Sequence, residues 1–225
     1  MTRIPAFVLA AALLAACPAL AAPKPTRIRG TIAGVHGDTL LVHTAAGPTV
    51  PIHLTAKTAY REVTRTSLDH VAAGSYIGTA TKTAGGKQVA LEVLVFPPAM
   101  KGVGEGHYPW DRIRDTTRAG HGTTASSMTN GTITAAAPTT VASSMTNGTV
   151  ATTAGAAGGK QITVTYAGGT QTVIVPPSAP IVTLLPGTRA ELKQGAGVFV
   201  VAVGPRGKMT AIAVNAGIDG VRPPM

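Results

Sequence analysis

Two stretches of this chain follow one plan, and that plan restricts the fold more than any other feature. From Arg27 the sequence reads RIRGTIAGVHGDTLLVHTAAGPTVPIHL, three apolar-alternating segments separated by Gly37-Asp38 and by Ala46-Gly47-Pro48. Alternation broken by glycine-bearing turns is the pattern of antiparallel hairpins, because successive side chains of a strand point to opposite faces. Past Ser67-Leu68-Asp69, GSYIGTATKTAGGKQVALEVLVF adds two strands around Gly85-Gly86. The later stretch repeats the order. Gly148-Thr149-Val150 matches Gly30-Thr31-Ile32, QITVTYAGGTQTVIVP from Gln161 matches residues 39–54, and GAGVFVVAVGPRGKMTAIAVNA from Gly195 matches the closing hairpin from Gly74. Each half places Gly-Lys after its last turn, at Gly86-Lys87 and Gly207-Lys208. Duplication of a unit of about five strands is the economical explanation.

A unit of this size must close on itself or pair its edges, and the small solution is a Greek-key barrel of the OB type. The expected fold is therefore all-β: two tandem OB-like barrels of five to six strands, residues 27–99 and 146–220, joined by a long, partly flexible connector over residues 100–145. An SH3-like barrel or a single fused sandwich are the alternatives. The Gly-Thr-Ile start, the hairpin, the Gly-Ser-Tyr-Ile or Gly-Ala-Gly-Val strand and the Gly-Lys before the closing strand resemble a family of exported bacterial OB-like β-barrel domains of unassigned function. The resemblance covers residues 27–97 and about 146–218 and implies fold and location, with no chemistry to transfer.

The connector holds an exact repetition: ASSMTNGT at residues 125–132 recurs at 142–149. If Gly148-Thr149-Val150 starts the second barrel, Gly131-Thr132-Ile133 is a spare copy of that start, and only one copy can occupy the sheet. The expectation is that one copy is ordered and the other is a loop or an added edge strand. Asn130-Gly131-Thr132 and Asn147-Gly148-Thr149 fit the N-glycosylation pattern, but turn chemistry leading into a strand is the preferred reading.

Residues 1–21 have the form of a secretory signal. Arg3 supplies the charged start, residues 4–16 an apolar run too short to span a bilayer, and Ala19-Leu20-Ala21 a small-residue cleavage site. Leu14-Ala15-Ala16-Cys17 also looks like a bacterial lipoprotein box, with Cys17, the only cysteine, as the lipidation residue. Pro18 is an awkward neighbour for that processing, so soluble export to the periplasm is preferred over a membrane-anchored lipoprotein. No later segment reaches the length of a membrane span, which argues against a channel.

Charge and chemistry narrow the function classes. Nineteen Lys and Arg against nine Asp and Glu give a formal +10, spread along the chain without a basic run. That licenses attraction to anionic partners; sequence-specific nucleic-acid binding is not expected, since stacking aromatics are scarce. The six histidines show no zinc spacing, and His43 and His53, on two arms of one hairpin, are expected on opposite faces. No nucleophile elbow or phosphate loop is present. The remaining candidate is GEGHYPWD at residues 104–111, where His107, Tyr108, Trp110 and Asp111 form the candidate ligand-binding set. Against it stands a plain packing role, Tyr108 and Trp110 pinning the connector to a barrel. The expectation is a non-catalytic exported binding or structural module of the cell envelope, without cofactor, whose partner is an anionic envelope polymer or another envelope protein. The alternative is a periplasmic metal-handling protein using Glu105, His107 and Asp111.

Overall fold

Threonine, valine and isoleucine alternate along most of the sequence after residue 26, and these stiff side chains favour a pleated surface. The computed structural model describes residues 24–45, 47–118, 122–138 and 159–224, and these are nearly all-β, as expected, with strands joined by loops and three short 3-10 turns. Residues 1–21, read above as a secretory signal, Cys17 within them, His121 and the second ASSMTNGT copy lie outside the described residues.

The strands are β1 (Thr26–His36), β2 (Thr39–Thr44), β3 (Thr49–His53), β4 (Ala59–Arg65), β5 (Tyr76–Ala84), β6 (Lys87–Val95), β7 (Gly106–Pro109), β8 (Ile113–Arg114) and β9 (Thr123–Thr124). They continue with β10 (Ser127–Pro138), β11 (Lys160–Tyr166), β12 (Gly169–Val175), β13 (Ile181–Pro186), β14 (Gly197–Val203) and β15 (Met209–Gly217). Thirteen strands share one sheet, and β8 pairs with β9 in a separate ribbon. No helix among the described residues is long and apolar enough to cross a membrane.

The pairing does not close each half on itself. One ring runs β1-β2-β3-β15-β14 and returns to β1, so the opening strands of the first half are closed by the last hairpin of the second. The other ring runs β10-β11-β12-β6-β5 and returns to β10, closed by the last hairpin of the first half. Between them, β4 runs parallel to β15, β13 runs parallel to β6, and β4 and β13 pair antiparallel. Both halves therefore contribute to both rings, a departure from the expected arrangement of one barrel over 27–99 and another over 146–220. The physical reason is that alternation dictates which face of a strand is buried and leaves open which segment supplies its neighbour.

The rings match in detail. Gly30 faces Val198 and Gly131 faces Ile77, and each ring carries a bulge just after this point, between Ile32 and Gly34 and between Ile133 and Ala135. Both glycines are required by close approach. A Cβ on Gly30 would collide with the His43 carbonyl oxygen, and one on Gly131 with that of Thr165.

The first ASSMTNGT copy is thus an integral strand, and residues 100–145 are more than a connector. Met128 is fully buried, and Ile133 sits inside the second ring. Three apolar clusters result. Ile32, Leu40, Val200 and Val214 fill the first ring; Ile77, Val93, Ile162 and Val173 fill the second. A third cluster, with Leu91, Met128, Leu184 and Phe199, lies between the rings. Strands serving two clusters are buried on both faces, which explains the unbroken burial of β5 from Tyr76 to Thr81.

Candidate functional site

The third cluster is incompletely filled. A pocket of about 400 Å³ opens where β4, β13, β14 and β15 meet the loop before β7. Its walls are mainly apolar, including Leu94, Met100, Met128, Leu184, Phe199 and Val201. At 50% and 45% exposure, the lining residues Val103 and Ile212 leave apolar surface in water beside it. Among the described residues, Arg27 and Arg61 are the only charged ones that line it.

The aromatic segment is held against this pocket by hydrogen bonds to β10. Backbone N–H of Trp110 donates to Ser126 O at 2.8 Å, and Ser126 Oγ donates to Asp111 O at 2.7 Å. Asn130 Nδ2 donates to Gly104 O at 2.9 Å and to Tyr108 Oη at 3.2 Å. Tyr108 packs edge-on against Trp110 with ring centroids 5.9 Å apart. Burial pushes the Tyr108 phenol up, against the pull of Arg27, and pushes Tyr76 up to about 12 with help from Glu105 and Tyr108. Both phenols stay protonated at physiological pH and donate, Tyr108 to Gly104 O and Tyr76 to Val103 O.

Asp111 is held by two arginines. Arg27 grips it with Nε and Nη2 at 3.1 and 2.9 Å, and Arg29 Nη1 adds a bond of 2.7 Å. The Arg27 hydrogen bonds, with those of Arg29, hold the carboxyl below its ordinary range despite partial burial. Arg27 also lies over the Trp110 ring, 3.9 Å from its centroid, and Arg29 over Phe199 at 4.9 Å. A second anchor lies further along. Burial pushes Asp115 up, but bonds from Lys82 Nζ at 2.6 Å and from Thr117 outweigh it and keep the carboxyl low.

Of the residues singled out in sequence, Tyr108 and Trp110 line the pocket, so the packing role and the ligand role fall on the same side chains. Asp111 braces it from outside the lining, through Arg27. His107 points elsewhere, with Nδ1 2.8 Å from Thr129 Oγ1 and its ring stacked on Tyr166. Glu105, His107 and Asp111 do not come together: Glu105 accepts from Ala167 N, and no group of three metal-ligating residues occurs among the described residues. His43 and His53 correct an expectation. The observed register sets His43 opposite Thr49 and His53 opposite Thr39, which places both on one outward face, not on opposite faces. Four residues of strand separate them, roughly 13 Å, too far for one ion.

Three polar atoms around the pocket are buried without a partner: Trp110 Nε1, Asn130 Oδ1 and Asn215 Oδ1. Such groups are rare in folded proteins and each costs about 1–3 kcal/mol when left unpaired. The sequence carried a signal for them. Asn is depleted in strands, yet Asn130 and Asn215 sit within β10 and β15. A larger cleft of about 530 Å³ at the open end of the first ring is lined by Glu191, Lys193, Asp219 and Arg222, charges of both signs, and contains no such atom. No family model, curated protein or solved structure matches the chain.

Proposed function

We propose that the protein is a non-catalytic, exported binding module of the bacterial cell envelope, and that its site is the pocket between the two rings. The observation that carries this reading is an apolar cavity bordered by buried polar atoms without partners. Sites for small molecules have this composition: apolar walls supply affinity and a few polar groups fix orientation. The non-catalytic part of the proposal rests on the sequence, which carries no nucleophile elbow and no phosphate-binding loop. Export rests on the form of residues 1–21. The matching registers and bulges of the two rings support descent from a duplicated OB-like unit whose closing hairpins changed places.

An anionic polymer as ligand is supported by net charge alone, whereas the pocket favours a small, mainly apolar molecule. The metal-handling alternative has no geometric support, because Glu105, His107 and Asp111 have separate partners.

The test uses Trp110, the only tryptophan of the chain, as an internal donor. Titration with the neutral apolar probe N-phenyl-1-naphthylamine should give saturable one-to-one binding with energy transfer from Trp110. Ala213→Phe, which fills the pocket from β15, should weaken binding at least tenfold while leaving the far-UV spectrum unchanged. Binding that never saturates, or that Ala213→Phe leaves intact, would refute the assignment.

A further inference from the structure

We infer that the pocket takes a long-chain carboxylate, its chain among the apolar walls and its acid group on Arg61. The inference rests on the binding role proposed above and names the ligand class. Arg61 lies on β4, where it faces Pro186 on one side and Asn215 on the other, and its side chain lines the pocket. Among the described residues its guanidinium has no ion-pair or hydrogen-bond partner, in contrast to Arg27, Arg29 and Arg189, each of which holds a carboxylate. A half-buried arginine beside an apolar cavity, with no acid in the lining, is short of one anion. The neighbouring trio of Arg27, Arg29 and Asp111 adds a further net positive charge, and two guanidinium nitrogens of Arg29, Nε and Nη2, are buried without partners.

Charge therefore selects an anionic head, and the fork of Arg matches the planar geometry of a carboxylate. The walls select the remainder of the ligand. Methionines at positions 100 and 128 adapt to a flexible chain, and Phe199 with Leu184 offers it flat apolar surface. The exposed apolar surface of Val103 and Ile212 suits an aliphatic chain longer than the pocket holds.

The test is displacement of N-phenyl-1-naphthylamine from the full exported chain by straight-chain carboxylates from octanoate to hexadecanoate and by the matching alcohols. The expected result is tightening of about fourfold per added methylene until the pocket is full. At equal length the acid should bind about tenfold better than the alcohol. Read as the ratio of acid to alcohol affinity within each variant, the preference should fall to about one in Arg61→Gln, and Arg61→Lys should restore part of it. If acids and alcohols compete equally, or Arg61→Gln leaves the preference intact, the carboxylate assignment is wrong while the pocket stands. If the probe itself does not bind, the pocket assignment falls with it.

Discussion

At the scale of single residues, Asp111 is the best-supported polar contact of the site. Its carboxyl is held below the ordinary value of 3.8 by Arg27 first and Arg29 next, so the folded state prefers it ionised. A lowered folded pKa gives stability that is complete above the unfolded value and disappears as pH falls through the folded one. Asp111→Asn should therefore cost about 1 kcal/mol at pH 7, a modest figure because the pair is partly exposed. Urea denaturation of both proteins should show a constant gap from pH 8 to about pH 5 that closes progressively below it. A gap that widened in acid would contradict the ion-pair account. Asn215 makes the opposite prediction. Replacing an amide whose Oδ1 is buried and unpaired with leucine, Asn215→Leu, should stabilise the empty protein by up to about 1 kcal/mol, read as a raised Tm. These atoms also show what the sequence revealed of the site. GEGHYPWD stood out by composition, and Tyr108 and Trp110 do line the pocket; Asn215 is marked only by being an Asn within a strand, and Arg61 by nothing nearby. Their proximity is a product of sheet pairing between distant segments, which no local pattern encodes.

At the scale of elements, β10 is the most informative strand. Its first six residues and the two before them are copied exactly at 142–149, including the equivalents of Ser126, Met128, Thr129 and Asn130, which anchor the aromatic segment and fill the central cluster. Deleting residues 126–142 brings the second copy to the position of the first, with Val150 in place of Ile133. Ile→Val inside a ring costs about 1 kcal/mol, and the shorter connection to β11 offsets part of that loss. The melting temperature of the deletion variant should fall by only about 2–4 °C and remain cooperative; a collapse of cooperative unfolding would show that the copies are not interchangeable. Strand positions were legible here because alternation and glycine turns record them directly. The choice between copies was not, because identical residues satisfy identical neighbours. A residue-level difference does separate them: the larger Ile133 follows the first copy, and it is the one buried against Ile77 and Val164.

At the scale of the whole molecule, the closing hairpins are exchanged. The first ring needs β14 and β15 from the second half, and the second needs β5 and β6 from the first. A chain ending near residue 100 would leave β3 and β5 with open edges and half of each ring interior exposed. Such a half should be largely unfolded or aggregated alone, and mixing the two halves should restore β-sheet signal with one-to-one stoichiometry. Independent cooperative folding of either half would overturn the exchanged pairing. That pairing was beyond sequence reading, because two rings with the same registers accept either hairpin equally well on local grounds. It also explains why the pocket exists. The site is walled by Arg61, Leu94 and Met128 on one side and by Leu184, Phe199 and Asn215 on the other, so it forms only where both halves meet. If this meeting place binds ligand, a nitrogen-15 NMR titration of the full chain with dodecanoate shows it at the atoms concerned. The single indole N–H of Trp110 and the side-chain amides of Asn130 and Asn215 should shift together and saturate at one equivalent. If those three signals stay fixed while others move, the pocket between the rings is not the binding site.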